Sequence, residues 1–163
     1  MIPEAEQIYT IDDWWDGIIA AIVDYHGQHH YCCAYWDEAR DCFSDIFLLV
    51  PIDDETFGLA LVQWQIWLRW EADFKAGLVA PETHPGLTGT NARYKEISHL
   101  LDAKLDLNAS TAFRMKAAFH YEKSGNETTK MHTSVQWFPL EETDDQTNLR
   151  LWNVKTSSFQ EDD

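Results

Sequence analysis

Apolar residues fall into two kinds of short run along this chain. Residues 18–23 (IIAAIV) and 46–52 (IFLLVPI) are continuous, of strand length and without a polar face. That pattern predicts strands, and for residues 18–23 one covered on both faces. Residues 26–28 (HGQ) signal a turn, and 29–36 (HHYCCAYW) read as the partner of 18–25 in a hairpin. Pro51 marks the end of the third strand. Residues 37–45 read as a charged connection before it. Residues 111–122 and 130–138 alternate instead. Phe113, Met115, Ala117, Phe119 and Tyr121 share one face, and Arg114, Lys116 and His120 the other; Met131, Val135 and Trp137 line one side of the second run. With a turn at 124–127 they predict a second antiparallel hairpin with one wet face. Residues 149–154 (LRLWNV) predict a short edge strand.

The remaining apolar residues recur at helical spacing. Asp53 stands at an N-cap position, with Asp54 and Glu55 in the first turn, where negative charge suits the helix dipole. The helix should run to about Ala76, with Gly77 at the left-handed position beyond it. After a Pro- and Gly-punctuated loop, a second helix should start near Thr90 or Asn91, with Tyr94, Ile97, Leu101 and Leu105 as its stripe. The first helix carries Trp64, Trp67 and Trp70. At ~100° per residue its apolar arc spans roughly 240°, against about 100° for an ordinary surface helix. It should therefore cover two partners, with Trp64 in the core; the competing reading leaves Trp67 and Trp70 open for docking. The expected fold is α+β: antiparallel β-hairpins forming a sheet packed against two α-helices. A single domain is expected over residues 1–155, with a disordered acidic tail at 156–163.

Charge sharpens the picture. The net charge of the 163 residues is −16. Residues 1–56 hold 13 acidic side chains and one basic one, Arg40. Direct binding to nucleic acid or an anionic membrane is disfavoured, and a basic protein partner is favoured. Asp12, Asp13 and Asp16 surround Trp14 and Trp15. Together with Asp37, Glu38 and Asp41 they form the expected partner-binding surface, with Trp14, Trp15, Trp67 and Trp70 as apolar docking residues. Three cysteines and a start without a basic, then apolar, segment suit free thiols in a cytoplasmic protein. The most apolar stretch, 57–74, is interrupted by Gln63, Gln65, Arg69, Glu71 and Asp73, so no membrane span is expected.

No motif assigns a reaction, and no catalytic residue, metal or cofactor is expected. His26, His29, His30, Cys32 and Cys33 have ligand chemistry, but a strand would place at most two of them on one face, short of the four that zinc requires. Asp37, Asp41 and Asp45 would share a helix face but lack the pattern of a calcium loop. Glu71, inside the tryptophan arc, should pair with an arginine such as Arg93 or Arg114. Unpaired, it would be a candidate general acid.

One resemblance exists. Asp16-Gly17 after aromatics, Asp24-Tyr25 before a glycine turn, His30-Tyr31, Phe43-Ser44-Asp45 before a strand, and W-x-x-W-x-x-W-E ending at Glu71 are similar to features of a group of small uncharacterised bacterial proteins. It covers roughly residues 9–77. Where that group carries Pro and Arg after Asp-Gly, this chain has IIAAIV. The resemblance implies a bacterial origin and no chemistry. The expected function is non-enzymatic protein binding, most sharply as an immunity or inhibitor protein against a basic toxin. The alternatives are a small hydrolase or ligand-processing enzyme using Glu71 and residues 26–30, and an acidic nucleic-acid mimic.

Overall fold

A computed structural model describes residues 2–87, 89–121, 133–153 and 158–159. The chain forms two compact units, one of residues 1–52 with 107–163, the other of residues 53–106. The first is built on β1 (Glu6–Trp14), β2 (Ile18–Tyr25), β3 (Gln28–Asp37), β4 (Cys42–Pro51), β5 (Phe113–Tyr121) and β6 (Thr133–Phe138). Each strand pairs antiparallel with the next, and β1 pairs with β6 through Glu6↔Val135 and Gln7↔Ser134. The sheet therefore closes into a six-stranded up-and-down barrel.

This corrects the expected α+β sheet packed against helices. Continuous apolar runs do mark strands covered on both faces here. One cover, however, is the opposite wall of the barrel. Ala21, Cys32, Ala34 and Val135 lie inside with Phe47, Leu49 and Trp137. Small residues facing large ones fill so narrow an interior without strain. Trp137 donates its Nε1–H to the Asp24 carbonyl at 3.0 Å, so its polar edge is satisfied. On the outer side, Tyr35, Ile46, Leu48 and Val50 are covered by Leu107, Ala112, Leu140, Leu149 and Leu151. The face of Phe113, Met115, Ala117 and Phe119 that alternation singled out packs on the interior cluster. The turn expected at 124–127 and Met131 lie outside the described residues.

Two boundaries also change. Residues 42–45, read as connection, belong to β4, so Asp37, Asp41 and Asp45 sit on a hairpin and not on one helix face. Residues 6–14 form a strand that the pattern concealed. Its register with β2 shifts between Ile8 and Thr10, and Ile8 and Ile11 both pack inward. At the shift, Thr10 Oγ1 accepts the Ile22 N–H at 3.0 Å, replacing a backbone partner. A further strand, β7 (Leu149–Asn153), pairs with β3, and the two-residue β8 (Ser158–Phe159) pairs with β7. Ser158 and Phe159 are the only described residues of the acidic tail from 156 onward.

The second unit holds α1 (Asp54–Lys75) and α2 (Ala92–Lys104). Asp53 caps α1 by accepting the Thr56 N–H at 2.7 Å, and Asn91 caps α2 through Tyr94 N–H at 2.9 Å. At the far end of α1, Gly77 takes φ 77°, while Leu78 N–H reaches Asp73 O and Gly77 N–H reaches Phe74 O. Those two bonds make a Schellman stop. The helices join through Gln63, which donates to Ser98 Oγ at 2.6 Å. Ile97 and Leu101 are buried, as the α2 stripe predicts. Trp64 is not core: it is half-buried and lies flat on Trp67, centroids 5.2 Å apart, so the indoles cover each other. Only Thr56 and Ala60 of α1 are buried. Among the described residues, no helix is long and apolar enough to cross a membrane.

Candidate protein-docking site

Successive strands of an up-and-down barrel reverse direction, so alternate turns share an end. The β1–β2 turn (residues 15–17) and the β3–β4 turn (38–41) therefore lie at one end of the barrel. This brings together all six predicted acids with Trp14 and Trp15. Trp15 is 74% exposed at the turn tip; Trp14 is 38% exposed, its ring edge-on to Tyr121 at 5.4 Å.

The backbone explains several of these acids. Asp16 and Asp41 take φ of 52° and 54°, a left-handed conformation that aspartate tolerates better than most residues. Asp37 accepts the N–H groups of Ala39 and Arg40, closing its turn. Asp13 accepts Trp14 N–H and the indole N–H of Trp152, each at 2.9 Å. Asp12 is exposed overall, but its carboxyl accepts from Thr10 Oγ1 at 3.2 Å and desolvation pushes it up to about 7, so it is only partly ionised at neutral pH. Glu38 pairs with Arg150 at 2.9 Å. Local bonds do not cancel charge, and among the described residues two cations pair with this set: Arg150 on Glu38, and Arg40 more loosely on Asp37 at 3.9 Å.

Trp67 and Trp70 belong to the helical unit and have ring partners of their own. Trp67 stacks on Trp64. Trp70 stacks on Phe74 at 5.1 Å, meets His84 edge-on and donates to Thr83 Oγ1 at 2.9 Å, anchoring the loop after α1. Glu71 pairs with Lys75 one turn on, at 3.2 Å, not with Arg93 or Arg114. The sequence missed Arg150 and Trp152. The available signal was an arginine and an indole two residues apart in a segment otherwise rich in acids.

The histidine segment builds the opposite end. His26 and Gly27 both have positive φ and form the two-residue loop between Tyr25 and Gln28. Asp24 accepts from Tyr9 Oη at 2.8 Å and bonds His29 Nδ1 at 2.9 Å. Burial and that carboxylate push the Tyr9 hydroxyl up to about 12. His30 is buried against Tyr25 and Phe113, and burial lowers its basicity. Burial also pushes the Cys33 thiol up to about 12 and the Cys32 thiol well above its ordinary value, which leaves both as inert thiols. Among the described residues, no three His, Cys, Asp or Glu side chains are grouped to hold a metal ion.

Searched against protein-family models, curated proteins and solved structures, the chain matches none at a significant level.

Proposed function

We propose that this chain is a non-enzymatic cytoplasmic protein that binds a basic protein partner through the acidic end of its barrel. Immunity or inhibition directed at a basic toxin is the sharpest form of that role. The observation that carries the reading is the convergence of Asp12, Asp13, Asp16, Asp37, Glu38 and Asp41 on one barrel end beside a tryptophan that is three-quarters exposed. Clustered carboxylates repel one another in the free protein, and a cationic surface relieves that repulsion while steering encounter. Trp15 supplies an aromatic anchor of the kind that dominates protein interfaces.

The test is capture from a lysate of the source organism, followed by association rates across a salt series. The expected partner is basic, and its on-rate falls steeply with salt while its off-rate changes little. A neutral or acidic partner, or an on-rate indifferent to salt, overturns the reading.

A further inference from the structure

β2 leaves the edge of β3 after Ala20↔Cys33, and β7 takes up the same edge further along, at Tyr35↔Leu151, Trp36↔Arg150 and Asp37↔Leu149. Side chains alternate along a strand. Leu149 and Leu151 accordingly cover the apolar outer face of β3 and β4, while Trp152 packs toward the barrel interior cluster. Arg150 and Trp152 meet two of the six acids. The Arg150 guanidinium pairs with Glu38, and the Trp152 indole donates to Asp13. Two bonds flank the contact: the backbone pair Glu38 N–H to Asn148 O, and the Cys33 thiol on the Trp152 carbonyl.

We infer that β7 is a self-ligand holding the place of a partner strand. Resting on the acidic-end reading, this names the element recognised: an extended segment of pattern apolar–basic–apolar–aromatic that adds to the β3 edge at Tyr35–Asp37 and displaces β7. Three properties carry it. The place has a demonstrated occupant with the complementary chemistry, a cation and an indole N–H on two carboxylates. Among the described residues the occupant pairs with β3 at three register positions. Its ion pair is half exposed on both sides, 43% and 49%, a kind that contributes little to stability. Strand addition takes affinity from main-chain bonds and specificity from alternate side chains, and this edge offers both.

The experiment uses the full chain and a fluorescent peptide of residues 146–153 (QTNLRLWN), followed by anisotropy. Wild type should bind the peptide weakly, because β7 fills the place. The Arg150→Ala/Trp152→Ala chain should bind it at least about tenfold tighter, and adding Asp13→Asn and Glu38→Gln should abolish the gain. Equal binding by wild type and the double variant overturns the inference. If the double variant loses its near-ultraviolet circular dichroism, Arg150→Ala alone decides. Amides of residues 149–153 should then exchange faster than in wild type, with β2 and β4 unchanged; unchanged exchange overturns it. A concentration-dependent dimer whose formation requires Arg150 and Trp152 also overturns it, in favour of strand exchange between copies. The two proposals fail separately. A basic partner whose binding ignores the β7 variants removes the self-ligand alone. Peptide exchange without any salt-sensitive basic partner removes the acidic-partner role alone.

Discussion

Single atoms at the strand shift and the first turn hold β1 in place. Thr10 is 1% exposed, and its hydroxyl accepts the Ile22 N–H at the irregularity. Thr10→Val keeps the shape and removes the acceptor, which leaves a buried donor unpaired. Urea denaturation should show a loss of about 1–3 kcal/mol, the usual cost of such an orphan. At Gly17 the backbone itself decides. Its φ of 145° lies where side chains are rarely accommodated, and an added Cβ would stand 3.4 Å from Tyr121 Oη. That hydroxyl also accepts the Ile18 N–H at 3.1 Å. Gly17→Ala should cost ~1–3 kcal/mol in the same assay, because strain and not lack of space is the obstacle. A change within a few tenths would mean the turn can re-form with a different backbone.

Elements were legible where local chemistry specifies them. Asp53 and Gly77 mark helix ends and stand where the sequence puts them, and Asn91, one of the two starts expected for α2, is its cap. His26-Gly27 specifies its hairpin through two positive φ values. β1 was illegible because Ile8 and Ile11 are three apart: the shift breaks the two-residue period on which strand recognition rests. Barrel closure was illegible for another reason. A strand buried on both faces looks the same whether helices or an opposite wall cover it, and the β1–β6 pairing leaves no local mark. The site was half legible. Acids could be counted along the chain, but only the alternation of turns gathers them at one end, and only the β3 edge explains Arg150 and Trp152. The cap of α1 also sets a pH dependence. The Thr56 hydrogen bonds hold the Asp53 carboxyl below its ordinary value. A depressed folded pKa contributes stability that is present above the unfolded value of ~3.9 and lost as pH falls through the folded one. Asp53→Asn keeps a good capping acceptor but cannot titrate. Helical-unit melts should be little changed at neutral pH and should fall less steeply below about pH 4. An acid slope identical to wild type would show that other carboxylates set it, with Asp145, held low by the Thr147 hydroxyl and N–H, and Asp144, held low by the Glu141 N–H, the first to examine.

Across the whole molecule, charge and topology act together. Asp16 and Asp41 sit at the tips of separate turns and, among the described residues, have no ion pair. Reversing both to lysine should slow association with a basic partner by about tenfold or more at low salt, and the difference should shrink as the Debye length falls to ~3 Å at 1 M. Stopped-flow rates would show it; equal rates would detach these two acids from the encounter. The seam of the barrel has a kinetic meaning as well. β1 through β4 pair with sequence neighbours and can form early from local contacts, whereas β1 meets β6 only after nearly the whole intervening chain is in place, through two register pairs. Pairings of such long sequence separation are slow to form. In pulsed hydrogen exchange during refolding, β2 and β3 amides should gain protection before those of Glu6, Gln7 and Val135; simultaneous protection would refute the order. During synthesis the same geometry leaves a four-stranded sheet with two unpaired rims while residues 53–112 are still being made. A barrel whose six strands all have neighbours when finished thus passes through a stage at which its own outer strands are its main aggregation hazard.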